Sequence, residues 1–307
     1  MDGSDLGLWG VPLAMLAGAI RVSTPFIFVS LGECLTERSG RINLGLEGTL
    51  LMGAMTAFAV SLATGSPWLG CLAAAGVGVL LGMLHGALCS LARVNDTAMG
   101  IALMLAGSGL AFWLGKPLIQ PSAPGLPAIA LGGWSDVAAV KASLAINPLF
   151  ILGLVLAFAT HWALGRTRFG LRLRVVGDSE NAARAFGLSP TAYRIAATAF
   201  GGACAGVGGA SLSLVYPGAW SEALSSGQGV MAVALVIFAR WDPRRCILAG
   251  LLFGGASAIS PALQALGYSQ GYYLLAALPY ALTLAVLIGL GKPGPSHGAP
   301  GELSLNR

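Results

Sequence analysis

The sequence predicts an all-α, polytopic helical membrane protein, and two observations predict it. Of 307 residues, 56% are hydrophobic and only 9% are charged, where an ordinary soluble domain carries about 25% charge. Apolar runs near the ~20 residues needed to cross a bilayer recur at 8–32, 48–63, 67–92, 97–115, 147–165, 191–215, 245–266 and 270–290. The first run is not a cleavable secretory signal. Asp2 and Asp5 precede it and Arg21 lies inside it, so it lacks the basic leading region and reads as a retained helix.

Charge placement gives an orientation. If the stretch 33–46 is cytoplasmic and the spans alternate from there, 14 of the 17 Lys and Arg fall inside, from Arg38 and Arg41 to Lys292 and Arg307; only Lys116 and Lys141 fall outside. The positive-inside rule then puts the N-terminus out and the C-terminus in. Such an orientation requires an odd number of crossings, and eight runs are even. The ninth is "GQGVMAVALVIFAR", 227–240, too short at 1.5 Å per residue to span alone. It follows "YPGAWSEALSS", 216–226, whose Pro, Gly and Ser would leave backbone groups unpaired in lipid. Irregular backbone at membrane depth is tolerated only against protein or a wet cavity. The stretch 216–240 therefore reads as a re-entrant segment plus a short helix, with Tyr216, Trp220, Ser221, Ser225, Ser226 and Gln228 as candidate pathway residues.

The remaining segments follow in order. "GECLTERSGRINLGLEG", 32–48, holds five charges, Glu33, Glu37, Arg38, Arg41 and Glu47. As a cytoplasmic hairpin over 33–46, it is expected to pair Glu33 and Glu37 with Arg38 and Arg41, to reverse at Gly40 and Gly45, and to place Glu47 where a helix dipole favours a carboxylate. Gly78, Gly82 and Gly86 recur at four-residue spacing, as do Gly202 with Gly206 and Gly250 with Gly254, which predicts close helix packing. The Pro- and Gly-rich segment 116–146 has no amphipathic period. It is expected to be an external loop carrying a short interfacial helix, with Trp134 near the headgroups. The segment 166–190 reads as a cytoplasmic loop with one short helix. Asp178 or Ser179 serves as N-cap, Glu180 sits in the first turn, Gly187 closes the helix, and Ser189–Pro190 opens the next span. Arginine-anchored contact with anionic lipid competes there with docking to a protein. Residues 291–307 form a cytoplasmic tail.

Other chemistry is not signalled. The five cysteines are scattered without a C-x-x-C pair, and His85, His161 and His297 have no ligand spacing, so no metal site, cofactor or catalytic residue is expected; His85 reads as a packed polar residue. The basic residues lie between spans rather than on an aromatic-interleaved face, which argues against nucleic acid. No G-x-x-x-x-G-K-[ST] loop exists, so the chain has no means of cradling ATP phosphates by that route.

"GDSENAARAFGLSPTAYRIAATAFGGACAGVGGA", followed by "GVMAVALVIFARWDP", resembles the corresponding region of membrane permeases of bacterial ABC importers. There a cytoplasmic coupling helix with a G-x-x-x-x-A-A-x-x-x-G-hydrophobic pattern fits a cleft in the ATPase. Gly177, Ala182, Ala183, Gly187 and Leu188 match that pattern. The resemblance implies a coupling role for Gly177, Asp178, Glu180, Ala182, Ala183, Arg184, Phe186, Gly187 and Leu188. "GECLTERSGRINLGLEG" is similar to the G-E-x-x-x-E-R-x-G-x-x-N-x-G-x-E-G signature of the nucleoside and simple-sugar uptake group, matched by Glu33, Glu37, Arg38, Asn43 and Glu47 with the intervening glycines. The resemblance implies a non-enzymatic permease of the bacterial cytoplasmic (inner) membrane working by alternating access. Its implied partners are an ABC ATPase subunit that uses ATP and Mg, a second permease subunit, a periplasmic or lipoprotein substrate-binding protein, and membrane lipid. A branched-chain amino acid permease is the alternative within the superfamily. An ATPase-independent carrier fits less well, since such carriers show paired carboxylates deep in spans.

Overall fold

The computed structural model describes residues 10–91, 93–134, 140–141, 144–222, 224–265, 274–275, 277–290 and 299–305. Six of the described helices are long and apolar enough to cross a membrane: α1 (Gly10–Arg38, apolar from Met15), α2 (Leu46–Thr64), α3 (Pro67–Leu88), α4 (Asp96–Gly115, continued by a 3-10 turn at Lys116–Leu118), α5 (Pro148–Arg166) and, after two short helices, α8 (Pro190–Leu214). The short pair is α6 (Arg168–Asp178) and α7 (Glu180–Ala185). Then come α9 (Gln228–Phe238), α10 (Pro243–Ala265), α11 (Leu278–Leu290) and α12 (Gly301–Leu305). The apolar run at 270–290 and the tail 291–307 fall partly outside the described residues.

Helices α1, α2 and α8 form the centre and are buried along most of their lengths, whereas α3, α4 and α5 turn leucine, tryptophan and phenylalanine outward, as helices facing lipid do. Packing at the centre depends on glycine. A Cβ on Gly78 would collide with the Gly202 carbonyl, one on Gly82 with the Thr198 carbonyl, and one on Gly206 with the Ala74 carbonyl. These residues bring the α3 and α8 backbones into direct contact, as small residues do in membrane bundles. The second seam, α1 with α10, uses Gly250 against Ile27 and Gly254 against Ser23. Both seams match the four-residue glycine spacing.

Three local expectations are corrected. Helix α1 runs on to Arg38, so Glu33 and Glu37 lie on its last turns and the reversal occupies only 39–45. The segment after α5 contains two helices rather than one: Thr167 caps α6 by accepting from the Gly170 N–H at 3.1 Å, and α6 packs through Gly170, Leu173, Val176 and Gly177. The loop 116–146, expected to be external, contains a short antiparallel pair, Ile129–Ala130 with Ala145–Ile146, and the interfacial helix expected there falls partly on residues outside those described. The loop is tied down where Ser61 Oγ donates to the Pro124 carbonyl at 2.7 Å and the Leu126 N–H to the Leu214 carbonyl at 2.9 Å.

Candidate functional site

Between α8 and α10 the described chain is irregular up to the start of α9. After Leu214 the chain leaves helical geometry. Trp220, 1% exposed, then packs against Gly115 at the end of α4. The chain turns through Ser226 and Gly227, both with positive φ, and enters α9. The start of α9 is held by one carboxylate. Glu47 Oε1 accepts from Ser225 Oγ at 2.5 Å and from the Gly227 N–H at 3.0 Å, and Oε2 accepts from the Gly229 N–H at 2.6 Å. A helix start leaves backbone N–H groups without intrahelical partners, and an anion there also meets the positive end of the dipole. Glu47, in the first turn of α2, thus serves the start of another helix as well as its own. Gly229 has no side chain because one would collide with the backbone of Glu47.

The far end of α9 is fixed just as firmly. Arg240 and Trp241 both take positive φ, a costly conformation for bulky residues. The turn delivers the Trp241 Nε1–H to Glu37 Oε2 at 2.5 Å and the Trp241 carbonyl to the Arg38 Nε–H at 2.9 Å. The expected pairing of Glu33 and Glu37 with Arg38 and Arg41 is therefore replaced by other contacts, those of Glu37, Arg38 and Arg41 distant in sequence and those of Glu33 and Asn43 within the turn. Glu33 Oε1 accepts from the Asn43 N–H at 2.8 Å, Asn43 Oδ1 accepts from the Gly45 N–H at 2.9 Å, and Arg41 pairs with Asp96 at the start of α4. Among the described residues Arg38 and Arg41 form no ion pair with Glu33 or Glu37. His85 is buried beside this turn with Nε2 3.2 Å from the Ile42 carbonyl.

The predicted pathway residues divide. Tyr216, Ser221 and Ser226 are exposed and Gln228 is half-buried. Trp220 and Ser225 are not available to solvent, since Trp220 fills the core and Ser225, 2% exposed, is engaged by Glu47.

Helix α7 sits beyond the same end of the bundle as the hairpin. Ser179 caps it through the Ala182 N–H at 3.3 Å, and Gly187 closes it at φ +72°. Glu180 accepts from Arg184 at 2.6 Å and from Arg194 of α8 at 2.5 Å; these cations, Arg184 first, hold its carboxyl below the usual glutamate range. Arg194 is 5% exposed and also reaches the Ser39 carbonyl at 3.3 Å. Glu302 of α12 accepts from the Glu180 N–H at 2.7 Å. Gly177 lies against the Arg38 carbonyl, and the Asp178 carbonyl against Gly301. Ala183 is fully buried and Ala182 half-buried, so this pair lies on the packed face of the helix. The outward face is Asn181, Arg184, Ala185 and Phe186, with Phe186 77% exposed. Leu188 is half-buried.

A glycine-seamed bundle with six helices long and apolar enough to cross a membrane, a short apolar helix held by a buried carboxylate and a short polar helix clamped at one end is the architecture of a polytopic helical membrane protein. The model of the family described as branched-chain amino acid transport system / permease component matches residues 15–290, and the chain belongs to that family. It is 31% identical over 299 residues to a nucleoside ABC transporter permease protein of Lactococcus lactis, covering 91% of this chain and 92% of the relative. It is 31% identical over 306 residues to a guanosine ABC transporter permease protein of Bacillus subtilis, covering 91% and 93%. A glucose ABC transporter permease protein of Haloferax volcanii is 27% identical over 258 residues, covering 76% and 67%.

Proposed function

We propose that this chain is the transmembrane permease subunit of an ATP-driven ABC importer, carrying a nucleoside or simple sugar across the bacterial cytoplasmic membrane by alternating access. Nine crossings, with the N-terminus outside and the C-terminus inside, fit the basic-residue distribution and count 216–240 as one. The hairpin end of the bundle is then cytoplasmic. The exposed residues of the broken crossing, Tyr216, Ser221, Ser226 and Gln228, line the path. Glu47, with Glu33, Glu37, Arg38 and Asn43, holds the inner half of that path in register. ATP and Mg act on the partner ATPase, and a second permease chain and a substrate-binding protein complete the assembly. The names of the relatives weigh against branched-chain amino acids as cargo.

One observation carries the reading: Phe186, a large apolar side chain, is exposed on a helix that Glu180 and Arg194 lock to a core span. Such a helix transmits force, because its outward face is free to dock while its inward face is fixed. The test is co-expression with the ATPase, the second permease and the binding protein encoded with it, followed by uptake into proteoliposomes of labelled adenosine, guanosine, uridine, glucose and ribose. ATP-dependent accumulation of one class supports the proposal. Uptake that proceeds without the ATPase, or no uptake of any of the five, refutes it.

A further inference from the structure

A cleft of about 150 Å³ opens between the last turns of α1 and α5, the outer face of α6 and the turn after α9. Arg38, Arg174, His161, Trp241 and Asp242 line it. The one carboxylate in it is already engaged: Asp242 Oδ1 accepts from His161 Nδ1 at 3.2 Å and from the Arg244 N–H at 3.0 Å, and Oδ2 lies 3.6 Å from Arg244 Nη2. Two guanidinium groups therefore set the sign of the cleft. Arg38 is fixed through its Nε–H on the Trp241 carbonyl at 2.9 Å. Arg174 has a buried Nε with no hydrogen-bond partner. Burying a guanidinium N–H without an acceptor is unfavourable, and an anion that pairs with the part of this guanidinium lining the cleft would offset that cost. Guanidinium forks match tetrahedral oxyanions in geometry, and the volume suits a single phosphate group rather than a nucleotide.

The surroundings say where that phosphate comes from. Trp162, beside His161, is exposed, as are Phe169 and Leu171 on α6, among the exposed arginines 166, 168 and 172. Outward aromatic and aliphatic side chains interleaved with arginine are what the headgroup layer selects. We propose that the cleft is a site for the phosphate of an anionic lipid headgroup. This rests on the proposed reading that the hairpin end meets the inner leaflet, but the binding test does not depend on sidedness.

The full-length chain is placed in nanodiscs of phosphatidylcholine alone or with 20 mol % phosphatidylglycerol, which sits in both leaflets. Thermal midpoint and the number of co-purifying phosphatidylglycerol molecules are read for wild type, Arg174→Gln, Arg174→Lys and Arg172→Gln. The expected result is a full rise in midpoint with phosphatidylglycerol for wild type and Arg172→Gln, and a smaller one for Arg174→Lys, which keeps the charge but not the fork. In Arg174→Gln that rise is lost and phosphatidylglycerol binds about tenfold more weakly. No rise in wild type, or an equal loss in Arg172→Gln, overturns the site in favour of diffuse surface attraction. An equal rise in phosphatidylcholine with millimolar inorganic phosphate overturns the lipid assignment in favour of a free-anion site. A measurement on wild type alone stands if Arg174→Gln does not fold: headgroup-photoreactive phosphatidylglycerol should crosslink within 161–174 and 241–243. Crosslinks confined to other segments overturn the proposal.

Discussion

Replacing Glu47 with Gln isolates the interaction that seats the half-helix. The carboxylate satisfies three donors, the Ser225 hydroxyl and the Gly227 and Gly229 N–H groups, with both oxygens in use. The amide keeps nearly the same shape but turns one acceptor into a donor, so at least one buried backbone N–H at the start of α9 loses its partner. An unsatisfied buried donor costs about 1–3 kcal/mol, and removing a partly buried anion from a helix N-terminus adds about 0.3–2 kcal/mol. A loss of about 2–4 kcal/mol in the local opening free energy follows, the middle of the combined range. At about 1.4 kcal/mol per factor of ten, this is a rise of about 30- to 1,000-fold in hydrogen exchange at residues 224–232, provided that local opening governs exchange there. Exchange in α3 and in the α8 segment facing it should hardly change, because the glycine seam does not pass through Glu47. The assay is peptide-resolved exchange in nanodiscs. Unchanged rates across 224–232 in Glu47→Gln would refute the reasoning, and so would equal acceleration across the whole bundle, which would make Glu47 a global stability residue rather than the seat of α9.

Three further outcomes follow from the same geometry. Phe186→Asp should insert and melt as wild type does yet fail to co-purify with the ATPase, whereas Ala183→Arg should lower abundance and thermal midpoint, because it drives a long cation into a packed face; equal ATPase binding by Phe186→Asp would refute the outward assignment. Gly82→Val should lower stability by about 1–3 kcal/mol because its Cβ meets the Thr198 carbonyl, while Gly76→Ala, where the space is open, should gain up to about 1 kcal/mol from helix propensity; thermal midpoints in detergent decide both. Glu180 has its carboxyl held below the usual range, so its anchoring of α7 is fully present above the ordinary glutamate pKa of about 4.3 and is lost as pH falls through the lower folded value. Protease nicking at 180–188 should therefore rise below about pH 4 in wild type, and a pH-independent nicking rate would show that the carboxylate does not hold the helix.

Much of this was legible in the sequence because bilayer physics writes long signals. Apolar runs of about 20 residues and glycines at four-residue spacing each integrate over many positions. The ends of α7 were legible too, since Ser179, Gly187, Ser189 and Pro190 carry cap chemistry that acts within a few residues. What failed were the partners of charged side chains. Glu33, Glu37, Arg38 and Arg41 sit within nine positions of one another, and sequence proximity suggested mutual pairing. The fold instead gives Arg38 and Glu37 to Trp241, some 200 positions away, and Arg41 to Asp96. Local spacing carries no information on such contacts. The facing of α7 failed for another reason. Six residues make fewer than two turns, so Ala182, Ala183 and Phe186 define no clear stripe, and which of them turns inward is set by the distant partners of α7, Arg194 and Glu302 among them. The amphipathic α6 did have a signal, Gly170, Leu173, Val176 and Gly177 at helical spacing, but the arginines between them masked it.

These two failures concern one structure. Glu180 of α7 meets Arg194, and Arg194 reaches the Ser39 carbonyl at the turn that ends α1. Two residues earlier, Glu37 takes the Trp241 indole N–H, and Trp241 ends the turn that closes α9. At the other end of α9, its N-terminus rests on Glu47. The contacts from α7 to the end of α9 are therefore short, directional polar ones between side chains and backbone. Apolar packing tolerates sliding, whereas a carboxylate bonded to two or three fixed donors does not, so under the proposed coupling role a displacement of α7 would reach the Trp241 end of α9. This explains why a chain with 9% charged residues concentrates carboxylates and arginines at the ends of its central helices. They fix the ends of those helices, and the glycine seams fix their middles.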